Sequence, residues 1–173
     1  DNDILNGGQG APLTPLYHRI ILKKIKTKLP SIIINIGGIA NVTFLDNENK
    51  ITSFDTGPGN YLINEWVKSN SKLDFDNKGL LAKSGRLNES LLKKLLKDPY
   101  YNKKSPKSLD VKNFNIKELK KLSLKDGCAT LSMLTAETIC LAINNFKNTP
   151  NKILFSGGGR KNDFIIDSIE EIL

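Results

Sequence analysis

Cysteine, histidine, tryptophan and methionine are nearly missing from this chain of 173 residues, which has two, one, one and one of them. Cys128 and Cys140 lie in one helix-like stretch without metal-ligand spacing, so they predict buried thiols rather than a disulfide framework or a zinc site. A single histidine, His18, excludes a histidine-based metal centre. A charged and then apolar leader is lacking, as is an uninterrupted apolar run of about 20 residues. Neither a signal peptide nor a membrane partner is therefore expected, and the cytoplasm is the expected location. The glycines never fall into G-x-G-x-x-G or Walker spacing, which leaves a Rossmann or P-loop site without support. Aromatics make up only 7% and do not interleave with the basic residues, unlike an RNA-binding surface. The 26 Lys+Arg against 18 Asp+Glu give a charge of +8. That excess is mostly lysine on segments such as ESLLKKLLKD and NIKELKKLSLKD, the pattern of solvated helix faces, so no nucleic-acid partner is expected.

What is present is organised around SFDTGPGN, Ser53 to Asn60. ITSF has the β-branched and aromatic content of a strand, and Gly57, Pro58 and Gly59 set a turn before a helix starting near Asn60. This places Asp55 at a strand-to-helix corner. Ligands of open α/β sheets bind beyond the carboxyl ends of strands, where such a carboxylate can move a proton; helix capping is the structural alternative.

Three further glycine turns accompany it. GGQGAP near the N-terminus precedes an amphipathic helix with Leu16, Ile20, Ile21 and Ile25 at helical spacing. SIIINIGGIANVTFLD reads as a hairpin turning at Gly37 and Gly38, its first strand apolar enough for burial on both faces. With ITSF it makes three strands in meander order. KILFSGGGRKN reads as strand, glycine turn and capped helix, a platform suited to an anion or nucleotide. Between them, residues 72–115 alternate short helices with polar connections, Asn88 and Ser90 being candidate caps and Tyr100 and Tyr101 packing residues. KDGCATLSMLTAETICLAINNF is the longest helix, with few charges and a buried character. The expected fold is α/β, a mixed sheet with antiparallel hairpin strands and a helical insertion.

GGQGAPL, NIGGIANVTF, FDTGPGN, TLSMLTAETI and FSGGGRKN together, in this order, resemble the anhydro-N-acetylmuramic acid kinases of bacterial peptidoglycan recycling, over nearly the whole chain. The resemblance implies an actin-like ATPase (ribonuclease H-like) lobe of a two-lobe kinase that closes on ATP and Mg²⁺. It implies that residues 1–29 end the N-terminal lobe and that 30–173 form most of the C-terminal one. Asp55 matches the catalytic aspartate. Nucleotide contacts fall to Gly37 and Gly38 in a phosphate-contacting hairpin, to Asn41 and Gly57, and to Gly157, Gly158 and Gly159 on the adenosine side. Gln9 and Gly10 line the sugar side, and no protein metal ligand is assigned. In the implied reaction the aspartate activates a water that opens the anhydro bridge of 1,6-anhydro-N-acetylmuramic acid while O6 takes the γ-phosphate. The resemblance also implies a homodimer.

Two departures stand out. Asn64 occupies a position where the family commonly has aspartate, and SPKSLDVKNFN keeps PKS and FN but lacks a Thr-Gly-Arg-Glu run between them. The family's first phosphate loop and its last sugar-binding helix have no match here, so the chain is expected to be an internal fragment, inactive alone. Another sugar or acyl-phosphate kinase, a non-catalytic nucleotide-binding module and a duplex-binding module are the competing readings.

Overall fold

The computed structural model describes residues 15–48, 50–105, 107–110, 119 and 121–173. In chain order these form α1 (Pro15–Lys24), β1 (Ser31–Ile36), β2 (Ile39–Leu45), β3 (Ile51–Pro58), α2 (Asn60–Asn70), α3 (Leu80–Lys83), α4 (Glu89–Leu95), α5 (Leu124–Asn144), β4 (Lys152–Ser156) and α6 (Asp163–Ile172). Single 3₁₀ turns span Asn77–Gly79, Pro99–Asn102 and Gly158–Lys161. The strands make one sheet in the order β3-β2-β1-β4. The β1–β2 and β2–β3 pairs are antiparallel and β1–β4 is parallel, as the hairpin reading anticipates.

β1 is inner and apolar, so both of its faces must be covered. Ile32, Ile34, Ile36, Val42, Phe44 and Phe54 pack toward α5, which also carries α2 and α6. Ile33 and Leu45, on the opposite face, take Leu22 of α1. By length and composition α5 could cross a bilayer, yet 78% of its most apolar window is buried, as in a core helix. Trp66 of α2 is a core residue, donating from Nε1 to the Leu124 carbonyl at 3.0 Å. Cys128 and Cys140 are buried free thiols, and burial pushes their pKa values up to about 12 and about 11.

Three expectations need correction. The inward face of α1 is His18 and Leu22 with part of Ile21, whereas Ile20 and Ile25 are 62% and 50% exposed. The sheet decides this: Thr43 Oγ1 offers a partner to His18 Nδ1 at 2.8 Å, so a polar side chain takes an inner position and rotates the isoleucines outward. Asn88 caps α4 through its Oδ1, which accepts from Leu91 N at 2.9 Å, but Ser90 lies inside that helix. Asp55 is not at the strand's end. The ladder continues through Ala40 opposite Gly57 and Ile39 opposite Pro58, which carries β3 past it.

Asn162 caps α6, its Oδ1 accepting from Ile165 N at 3.3 Å. Asn162→Ala is expected to cost about 1 kcal/mol and to lower Tm by roughly 3 °C. A calorimetric scan showing no shift would remove the cap as a source of stability.

Candidate active site

The face of the sheet that holds α1 changes character along the strands. Near α1 it presents Ile33, Leu45 and Leu154, and one step further it presents a polar row. Ser156 pairs with Asn35, Asn35 with Asn41, and Asn41 with Asp55, so four polar side chains cross the four strands side by side. Ser156 Oγ donates to Asn35 Oδ1 at 3.2 Å. A β-bulge between Ala40 and Asn41 makes Thr56 the extra residue of β3, pinned by its hydroxyl to the Ala40 carbonyl at 3.2 Å. Because of the bulge, Asp55 stays on the polar face while Gly57 turns to α5, where a Cβ would lie 2.6 Å from Thr138 Oγ1. What Gly57 leaves for a ligand is its backbone.

Asp55 is 8% exposed. Burial pushes its carboxyl above the usual aspartate range, and the Leu109 N–H, donated to Oδ2 at 2.9 Å, opposes the shift. Oδ1 has no protein donor among the described residues. The backbone of Asp55 is held as well: its N–H donates to the Lys107 carbonyl at 3.1 Å and its carbonyl accepts from Tyr100 OH at 2.7 Å. Sequence reasoning placed Tyr100 only in packing and missed the contacts of Lys107 and Leu109 with the aspartate. The retained PKS motif was the one signal that pointed to this segment.

The glycine turns meet at the same end of the sheet. The Gly37 carbonyl accepts from Asn60 N at 2.7 Å and from Asn60 Nδ2 at 3.1 Å, and the Gly38 carbonyl from Gly59 N at 2.9 Å. The hairpin is thereby bolted to the start of α2. Gly157, at φ +79°, lies against the Ile36 carbonyl, and Gly159 against the Ile36 side chain. Gly158 is open, with nothing within 4 Å of where a Cβ would stand. It borders a cavity of about 370 Å³ with Asn60, Ile63, Asn64, Phe75 and Lys161 in its wall. A larger cavity of about 830 Å³, lined by Lys50, Lys103, Lys147, Tyr101 and Phe146, includes neither Asp55 nor any of these glycines. The smaller one, which reaches Gly158 though not Asp55, is the candidate ligand site. Asn64, the departure noted in the sequence, stands in the same wall as Asp76, whose carboxylate accepts from the Leu81 and Ala82 N–H groups.

Of the residues singled out in the sequence, Asp55, Asn41, Gly37, Gly38, Gly57 and Gly157 to Gly159 are brought to one end of the sheet. Gln9 and Gly10 lie outside the described residues. Asn41 carries a further mark: its Oδ1 is buried and without a hydrogen-bond partner among the described residues.

Comparison with known proteins bears on the family and the fold. A profile of the family described as anhydro-N-acetylmuramic acid kinase matches residues 1–173. The proteins of that name from Zymomonas mobilis and Rhizobium rhizogenes are 37% and 40% identical, over 99% and 97% of this chain. The one from Pelagibacter ubique is 38% identical over the whole of it. The chain spans 47%, 45% and 48% of these three relatives, a little under half of each. Among solved structures, the activator of the 2-hydroxyisocaproyl-CoA dehydratase from Clostridium difficile, with bound ADPNP, superposes with a TM-score of 0.51. That match has 16% identity and covers 83% of this chain and 51% of the other. The likeness shows the fold, an α/β lobe with a mixed four-stranded sheet.

Proposed function

The chain belongs to the anhydro-N-acetylmuramic acid kinase family, and from that premise we propose that the complete protein opens 1,6-anhydro-N-acetylmuramic acid with water and phosphorylates its O6. Asp55 is the general base. The observation that carries this role is its carboxylate, buried, bound among the described residues through Oδ2 alone and set in a polar row on the face that α1 leaves uncovered. Asp55 takes one proton of the water as its oxygen bonds to the anomeric carbon, and the bond from that carbon to O6 breaks. O6 then bonds to the γ-phosphorus, and ADP leaves with the broken bridging oxygen.

ATP supplies the phosphoryl group, and Mg²⁺ offsets its charge. The glycine junction suits a nucleotide: Gly37, Gly38 and Gly157 to Gly159 bring backbone close, and the cavity beside Gly158 has the apolar Ile63 and Phe75 for a base and Lys161 for a phosphate. Mg²⁺ commonly binds one or two carboxylates together with phosphates and water. Asp55, the one carboxylate of the polar row, is kept for the proton, so in this reading phosphate oxygens and water hold the Mg²⁺. In this reading residues 1–29 end the N-terminal lobe, Gln9 and Gly10 serve the sugar, and the protein pairs as a homodimer.

A phosphoryl-transfer assay tests the reading on a protein of the relatives' full length that carries this chain. N-acetylmuramic acid 6-phosphate and ADP are expected in equal amounts, whereas ADP formed with the anhydro-sugar intact would overturn it. The base must be ionised to accept a proton, so the rate rises with pH through the Asp55 pKa. Burial lifts that pKa, and the acid limb of kcat/KM is expected above the ordinary aspartate value of about 4. A limb at or below that value would show that the Leu109 N–H outweighs burial, and a limb that persists in Asp55→Asn would exclude Asp55 as the group observed.

A further inference from the structure

β3 is an outer strand of the sheet, and such a strand has backbone groups that no neighbouring strand satisfies. At Asp55 they are satisfied by the segment 100–109, which binds the residue at three points. The Lys107 carbonyl takes its N–H, Tyr100 OH its carbonyl and the Leu109 N–H its Oδ2. Lys107 also ties the segment to itself. Its Nζ donates to the carbonyls of Tyr100 and Tyr101 at 3.2 and 3.1 Å and stands 4.7 Å from the centre of the Tyr100 ring. The residue that binds the N–H of Asp55 is thus fastened to the residue that binds its carbonyl.

Lys107 is 9% exposed and makes no ion pair among the described residues. An ammonium buried on carbonyls and ring faces costs desolvation energy that a methionine of similar volume would not. Filling space does not account for it. Directional donors that set the spacing between residues 100–101 and 107 do.

We propose that Tyr100 and Lys107 are positioning residues for Asp55, locking the segment 100–109 onto the edge of β3 so that Leu109 occupies Oδ2 and Oδ1 is left to take the proton. The inference rests on the assignment of Asp55 as the base. It gives the PKS segment a role in the reaction without contact to either substrate. Small displacements of a reacting group lower rates by as much as about 100-fold, and that sets the expected scale.

The test uses Tyr100→Phe, which keeps the ring and removes the hydroxyl, and Lys107→Met, both in the full-length protein and in an Asp55→Asn background. Tyr100→Phe and Lys107→Met are each expected to lower kcat by about 10- to 100-fold with KM for ATP and for the sugar within about twofold. Lys107→Arg, which restores directional donors, is expected to recover part of the loss. In the Asp55→Asn background, neither substitution should lower the residual rate further, because a group acting only through Asp55 has nothing left to position. Unchanged kcat in folded Tyr100→Phe, a change confined to KM, or equal losses in both backgrounds would each overturn the proposal. If Lys107→Met fails to fold, Tyr100→Phe decides alone. Full activity in Asp55→Asn itself would instead sink the assignment of the base, an outcome distinguishable from all of these.

Discussion

Asp55→Asn is expected to lower kcat by about 1,000-fold or more while leaving nucleotide affinity unchanged. The amide keeps the volume of the side chain and one oxygen for the Leu109 N–H, so the fold and the bulge at Thr56 have no reason to move. What it removes is the proton acceptor. A positioned general base contributes roughly 10²- to 10⁴-fold, and the polar row holds no second carboxylate to take over the task, which places this loss in the upper part of that range. The check is a pair of measurements on the full-length protein: turnover with ATP and the anhydro-sugar, and titration of an ATP analogue by calorimetry. Turnover within tenfold of the parent would move the base elsewhere, and a parallel loss of nucleotide affinity would make Asp55 a binding group.

The second large effect is on stability. Gly157 has φ +79° and ψ 176°, a conformation open in practice to glycine alone, and a Cβ there would stand 2.6 Å from the Ile36 carbonyl oxygen. That oxygen belongs to the inner strand of the sheet and has little freedom to retreat. Backbone strain of about 1–3 kcal/mol adds to overpacking of similar size, so Gly157→Ala is expected to cost about 3–5 kcal/mol. A typical domain has only about 5–15 kcal/mol in total, so the urea midpoint should fall by a large fraction. Gly158→Ala, one residue on, meets nothing within 4 Å and should change stability by about 0.5 kcal/mol or less. It stands at the edge of the proposed nucleotide cavity, so its effect should fall on ATP affinity. Equal destabilisation by the two substitutions would show that Ile36 yields and that the turn is not held as described.

Much of this lobe was legible because its signals are local. SIIINI announces an inner strand by its unbroken apolar run, Asn88 and Asn162 announce caps by their place before apolar helical repeats, and the low charge of residues 125–144 announces a buried helix. Each depends on a period or a turn carried by neighbours in the chain. The burial of His18 and the exposure of Ile20 were not legible, because the sheet's Thr43, 25 residues away, chose the inward face of α1.

By itself, then, the sequence determined the elements, the glycine turns, the family and the carboxylate proposed as the base. The tertiary structure decided how that carboxylate is placed and held. It set the bulge that separates the direction of Asp55 from that of Gly57, the polar row across four strands, and the hold of Tyr100 and Leu109 on Asp55. Those last contacts join residues 45 and 54 positions apart, through a strand edge that exists only once β3 has paired with β2. A hydrogen bond from a backbone N–H leaves no mark on residue type, so Leu109 carries no trace of its partner in its identity, and only folding brings the two together.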